Sequence, residues 1–121
     1  MKLALIIGLG SFIGGISRYL LSLLIQAKTT SPFPFHTLII NITGCFLIGI
    51  VFGFFDKGQI SEEWKLFFAT GILGGFTTFS AFSFETLTLF KEGYLVYTLV
   101  YIFASVFLGL LLTYLAYSLA K

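Results

Sequence analysis

Charge is what this sequence has least of. Only 10% of its 121 residues are Asp, Glu, Lys or Arg, against about 25% in a soluble globular domain. Such a chain cannot cover a water-facing surface with ionised groups. No run of Lys or Arg occurs, and a net charge of +2 is too small to point to a nucleic acid. Cys45 is the single cysteine, so no intramolecular disulfide can form. It lies in an apolar run, where an inert packing role is expected. His36 is the single histidine; beside Pro34, it is expected in an interfacial loop. Glu85 alone among the carboxylates falls within or near an apolar run. No acid–base pair or metal-ligand cluster can be assembled from this inventory, which argues against an enzyme.

What is present is apolar. Hydrophobic residues make up 58% of the chain, 16 of them phenylalanine, and mean hydropathy is +1.04. The class is an integral membrane protein of one domain. Four apolar stretches cover about 3–25, 38–55, 66–90 and 94–120, each near the ~20 residues that cross a bilayer. Backbone groups in lipid must bond internally, so these spans are expected to be helices. The first, MKLALIIGLGSFIGG, begins like a secretory leader, but no small-x-small site precedes Arg18 and the apolar character runs on. A first membrane helix is expected instead.

The connections are short. KTTSPFPFH (28–36) holds both prolines, DKGQISEE (56–63) offers Ser61 as an N-cap ahead of two carboxylates, and KEG (91–93) is a tight turn. Four helices joined this way alternate in direction and place both termini on one side. That side then carries Lys2, Lys57, Lys65 and Lys121, and the other Arg18, Lys28 and Lys91. Four against three gives no clear orientation. Noise in a short protein accounts for it, and so does insertion in both directions as an antiparallel dimer. Four helices enclose little interior, so a solute path calls for a second subunit.

GLGSFIGG (8–15) looks like a dinucleotide fingerprint, but that motif needs a preceding strand. Gly8, Gly10, Ser11, Gly14 and Gly15 are expected to mark close helix packing. Arg18 either snorkels to the headgroups or adds positive potential to an aqueous entrance. Asn41 needs hydrogen-bond partners at membrane depth; another helix or an anion could supply them.

GILGGFTTFSAF (71–82) should be a poor helix, with its glycines and adjacent threonines. Non-helical backbone at membrane depth is tolerated where it lines a cavity or lies within protein. In broken membrane helices, freed carbonyls hold cations and the following helix N-terminus favours anions. This stretch therefore reads as an ion-binding break, or else as a small-residue packing face. Phe79 and Phe82 share a face if the second half is helical. The positive edges of their rings could line a path for a small anion. In the last span Tyr97, Tyr101 and Ser105 follow at a spacing of four, Gly109 interrupts and Thr113 resumes the stripe. Tyr94, Tyr114 and Tyr117 suit interfacial belts.

Taken together, GGISRYL (14–20), TLIINITG (37–44), GILGGFTTFSAFSFE (71–85) and KEG (91–93) strongly resemble the Fluc, or CrcB, fluoride channels. The likeness covers essentially the whole chain, and the GG-x-TTFS-x-F core is its most specific part. The resemblance implies an all-α membrane protein of four transmembrane helices, the third broken, assembled as a dual-topology antiparallel homodimer with two fluoride pores. It implies passive export of fluoride across the cell membrane, protecting against fluoride toxicity. It implies a structural sodium ion on the dimer axis, held by the carbonyls of Gly74 and Thr77 from both subunits. By position, Phe79 and Phe82 match the ring edges along the path, Asn41 the pore-facing asparagine, and Ser80 a hydroxyl donor. Tyr101 and Ser105 match the polar track on the last helix, Arg18 the basic entrance residue, and Glu85 an acidic position near the pore exit.

Two other readings compete. A four-span proton-coupled antiporter needs a carboxylate in its first helix, and here there is none. A non-transporting assembly subunit would have no use for a polar line through Asn41, the break and Ser105.

Overall fold

The computed structural model describes residues 1–121, and every regular element in it is a helix. Helix α1 covers Lys2–Gln26 and α2 covers Phe35–Asp56. The third span, Glu62–Lys91, is divided. Its first part, α3, spans 62–76; its second part, α4, is Phe79–Lys91. Helix α5 covers Leu95–Ala120. All four spans are long and apolar enough to cross a membrane. The span boundaries differ from those expected by at most four residues, most of all where α3 begins in the polar turn at Glu62.

Local chemistry sets the ends. Ser61 caps α3, its hydroxyl accepting the Trp64 N–H at 3.3 Å, with Glu62 and Glu63 in the first turn. Gly58 and Gly93 make the two tight turns at φ 77° and 87°, a region that residues with a Cβ avoid. In the 27–34 connection, Thr29 and Ser31 hydroxyls accept backbone N–H bonds two residues on. Pro34 then sits at the N-cap of α2. The helix therefore starts at Phe35, and His36 belongs to its first turn rather than to the loop expected for it.

The helices alternate in direction. Lys2 pairs with Glu63 at 3.4 Å, and the Tyr117 hydroxyl donates to Asp56. Both ends of the chain thus lie beside the 57–61 turn.

Packing follows the small residues. A Cβ on Gly14 would lie 1.9 Å from the Ile72 carbonyl oxygen, and one on Gly75 would lie 2.5 Å from that of Ser11. Helices α1 and α3 therefore meet backbone to backbone. Lipid supplies no hydrophobic drive for helix association, so such close van der Waals contact must hold the pair. Gly10 and Ser11 belong to this seam, as expected. Gly8 does not, having open space around it, and a Cβ on Gly15 would also meet nothing. On the other side, α2 and α5 close over Gly49 and Gly53, and Thr113 donates to the Cys45 carbonyl at 2.9 Å. The lower part of the polar stripe on α5 is thereby used for packing. Phe12 and Leu24 on α1, and Phe107 and Leu110 on α5, face outward, as lipid-facing residues do.

The break is narrower than the sequence implies. Residues Leu66–Leu73 form a π-helical stretch, Gly74–Phe76 return to α, and only Thr77 and Thr78 are extended. The glycines stay helical, and two of them, Gly71 and Gly75, let α1 approach closely. The threonines leave the helix because β-branched residues suit extended backbone and their hydroxyls can replace lost helical bonds.

Candidate functional site

The break is built from hydrogen bonds that close some of its free groups and leave others open. Where α3 stops, its last carbonyls have no helical donors ahead of them. The Leu73 carbonyl accepts from both the N–H and the hydroxyl of Thr77, at 3.0 and 2.9 Å. The Gly75 carbonyl accepts Arg18 Nε–H at 3.3 Å. The carbonyls of Gly74, Phe76 and Thr77 are left over. Thr78 caps α4 by accepting the Ala81 N–H at 3.1 Å, and its hydroxyl lies 3.2 Å from that of Ser80.

Asn41 bridges the gap. Its Oδ1 accepts the Thr78 N–H and its Nδ2 donates to the Thr78 carbonyl, both at 2.9 Å. The side-chain amide thus pairs with extended Thr78 as a neighbouring strand would. An unpaired amide at this depth would cost about 2–7 kcal/mol, so this pairing fixes Asn41 firmly. A primary amide has two N–H donors; Thr78 takes one.

A cavity of about 350 Å³ opens beside this bridge. Asn41, Thr77, Phe79, Phe82 and Ser105 line it, together with Gly74. The Ser105 hydroxyl is buried and has no partner. Leaving a buried donor unsatisfied costs about 1–3 kcal/mol, so something must compensate for it. Phe79 and Phe82 do share a face, with ring centroids 5.6 Å apart and planes inclined by 48°. Phe76 does not join them; it is buried with Ile40 and Leu73. Phe79 is 78% exposed, and Gly74 and Ser80 are exposed too. The break therefore faces out of the single chain.

From the cavity a line of side chains leads to the far end. Phe82 packs on Tyr101 with centroids 5.0 Å apart. Tyr101 is fully buried and donates its hydroxyl to Glu85 at 2.8 Å. Thr37 donates to the other Glu85 oxygen at 2.9 Å, and His36 Nε2 lies 3.1 Å from it. Beyond them is a second cavity of about 330 Å³, lined by His36, Glu85 and hydroxyls of the 29–31 segment. Tyr97 stacks on Tyr94 and meets the edge of Phe33, away from this line.

Thr78, one of the adjacent threonines expected in the break, is the residue Asn41 holds. Two residues of the site escaped sequence reasoning. Thr37 stands four before Asn41, a helical spacing that could have revealed it. His36 was hidden by its nearness to proline. Arg18, expected at an entrance or among headgroups, donates to the Gly75 carbonyl at the break.

The family described as "CrcB-like protein, Camphor Resistance (CrcB)" matches residues 5–117. A fluoride-specific ion channel of Thermus thermophilus is 44% identical over 119 residues, covering 98% of this chain and 95% of its own. The protein of that name in Flavobacterium psychrophilum is 42% identical over 122 residues, covering 100% and 98%. The one in Oceanobacillus iheyensis is 42% identical over 121 residues, covering 99% and 92%. With four apolar spans, a third helix broken at paired threonines, and a match along nearly its whole length, this chain belongs to the CrcB family.

Proposed function

We propose that the chain is a passive, fluoride-selective channel that lets fluoride leave the cell. The observation that carries this reading is the cavity at the break, where Ser105 offers a buried, unpartnered hydroxyl beside the Asn41 amide and the rings of Phe79 and Phe82. The names of the relatives point the same way. Fluoride is small and strongly hydrated. A narrow path must replace its water with closely spaced donors: the free Asn41 N–H, the Ser105 and Ser80 hydroxyls, and ring edges that carry positive partial charge. Chloride is larger and fits such donors poorly, so width and donor spacing exclude it.

The site's outward exposure supports a homodimer. Four helices leave the break and Phe79 uncovered, and a second copy in antiparallel orientation would cover them and complete two paths. The cation count supports dual insertion only weakly once Arg18 is drawn to the break, so the uncovered site is the stronger argument. The leftover carbonyls of Gly74 and Thr77 are hard oxygen donors of the kind sodium takes. From two subunits they would hold one ion, whose charge would offset part of the cost of dehydrating fluoride.

Liposomes holding the purified protein test the channel directly. Fluoride loss, followed with an electrode, is expected to be rapid while chloride is retained. Exchanging sodium for a large organic cation is expected to lower the flux, and an unchanged flux would remove the ion from the proposal. Absence of fluoride loss from a folded preparation would leave the structural-subunit reading in first place. For topology, an impermeant maleimide on intact cells is expected to label about half the copies of a Lys57→Cys variant. Labelling of all copies, or of none, would rule out insertion in two directions.

A further inference from the structure

Three side chains converge on one carboxylate at the loop end of α2. Thr37 and Tyr101 hydroxyls donate to the two oxygens of Glu85, at 2.9 and 2.8 Å. These bonds hold the carboxylate in place between the Phe82–Tyr101 pair and the outer cavity. His36 Nε2 stands 3.1 Å from Glu85 Oε2, and both side chains are 23% exposed, within reach of water.

The charges around this point are few. Glu85 on α4 and Glu92 in the turn after it line the outer cavity, and α5 presents the Tyr101 hydroxyl to Glu85. Helix α1 and the turn after it contribute Gln26 and hydroxyls, but no charge. Lys28, on the turn after α1, and Lys91, the last residue of α4, do not line the cavity. Two carboxylates and one imidazole therefore line the cavity, with no fixed cation among its lining residues. An anion passing here meets repulsion unless the imidazole is charged.

We infer that His36 is a charge switch at the mouth of the anion path: protonated, it offsets Glu85 and admits fluoride; neutral, it leaves the carboxylate unopposed and slows passage. Histidine is the side chain whose charge ordinarily changes between pH 5 and 8. Two unit charges about 4 Å apart interact by enough, even in water, to change a rate severalfold. The inference rests on the channel reading. It makes flux greatest when the medium at the mouth is mildly acidic.

The test is fluoride efflux from liposomes with equal pH on both sides, at pH 5.5 and pH 8. Protein-free liposomes correct for hydrogen fluoride crossing the lipid. Flux through the native protein is expected to be about fivefold higher at the lower pH. His36→Gln keeps an N–H donor but cannot gain charge, and is expected to show the low flux at both values. Glu85→Gln removes the charge to be offset, and is expected to lose the pH dependence as well. Conduction by the native protein that is the same at both pH values overturns the switch. So does a His36→Gln variant that is slower yet keeps the native ratio, since that is what a merely structural histidine would give. No fluoride flux at either pH would overturn the channel reading, and this inference with it.

Discussion

Replacing Phe82 with isoleucine lowers fluoride flux by about a hundredfold, a loss near 2.7 kcal/mol in barrier terms, and leaves a folded protein. Phe82 stands between the cavity at the break and the buried Tyr101, with centroids 5.6 Å from Phe79 and 5.0 Å from Tyr101. Isoleucine keeps apolar bulk but has no ring edge. If the edge supplies the positive partial charge that takes over from water, conduction falls while packing changes little. An apolar swap of this kind usually costs under about 1.5 kcal/mol in stability. Phe79→Ile is expected to behave likewise, and at lower structural risk, because Phe79 is mostly exposed in the single chain. Efflux from liposomes reads the first quantity. Size-exclusion and helix content by circular dichroism read the second. Native flux through both variants would refute the ring-edge account and leave hydroxyl and amide donors to carry the anion alone.

Gly14→Ala is expected to do the opposite, impairing folding rather than conduction alone. The new methyl would lie 1.9 Å from the carbonyl oxygen of Ile72 and 2.9 Å from the backbone nitrogen of Phe76. Those atoms belong to α3, so no side chain can turn aside to make room. The helices must separate, and the α1–α3 seam holds the break itself: Ser11 donates to Gly71 at 3.4 Å and Arg18 to Gly75 at 3.3 Å. Overpacking a tight interior costs about 1–3 kcal/mol, and more where backbone must move. The expected result is a poor yield of monodisperse protein and a lower melting temperature in detergent. Gly8→Ala is the control, since nothing lies within 4 Å of that position, and it is expected to match the native protein. A Gly14→Ala protein as stable as the control would show that α1 and α3 do not meet this closely.

The two substitutions separate two uses of the same twelve-residue stretch. Read as a string, GILGGFTTFSAF offers an ion-binding break or a packing face. Both are present, in different residues. Gly71 and Gly75 lie against α1, and Thr77 and Thr78 open the helix. Helix-weakening composition marked the region but could not assign the parts, because glycine lowers helix propensity whether or not the helix is broken.

The membrane class, the four spans, the cap at Ser61 and the turns at Gly58 and Gly93 can all be read from the residues alone. Each of these depends on composition, length or the conformational limits of a few adjacent residues. The sequence also marked Asn41, Phe79, Phe82 and Ser105 as residues with no reason to be ordinary lipid-facing ones. What they touch emerges only when the helices pack. Asn41 and Thr78 are 37 positions apart, His36 and Glu85 are 49, and Arg18 and Gly75 are 57. No local propensity couples such pairs. Small residues let α1, α2 and α3 approach closely enough for the first and the last of these pairs to meet. At that depth there is no water to satisfy an amide, a guanidinium or a broken backbone, so each must find its partner in another helix.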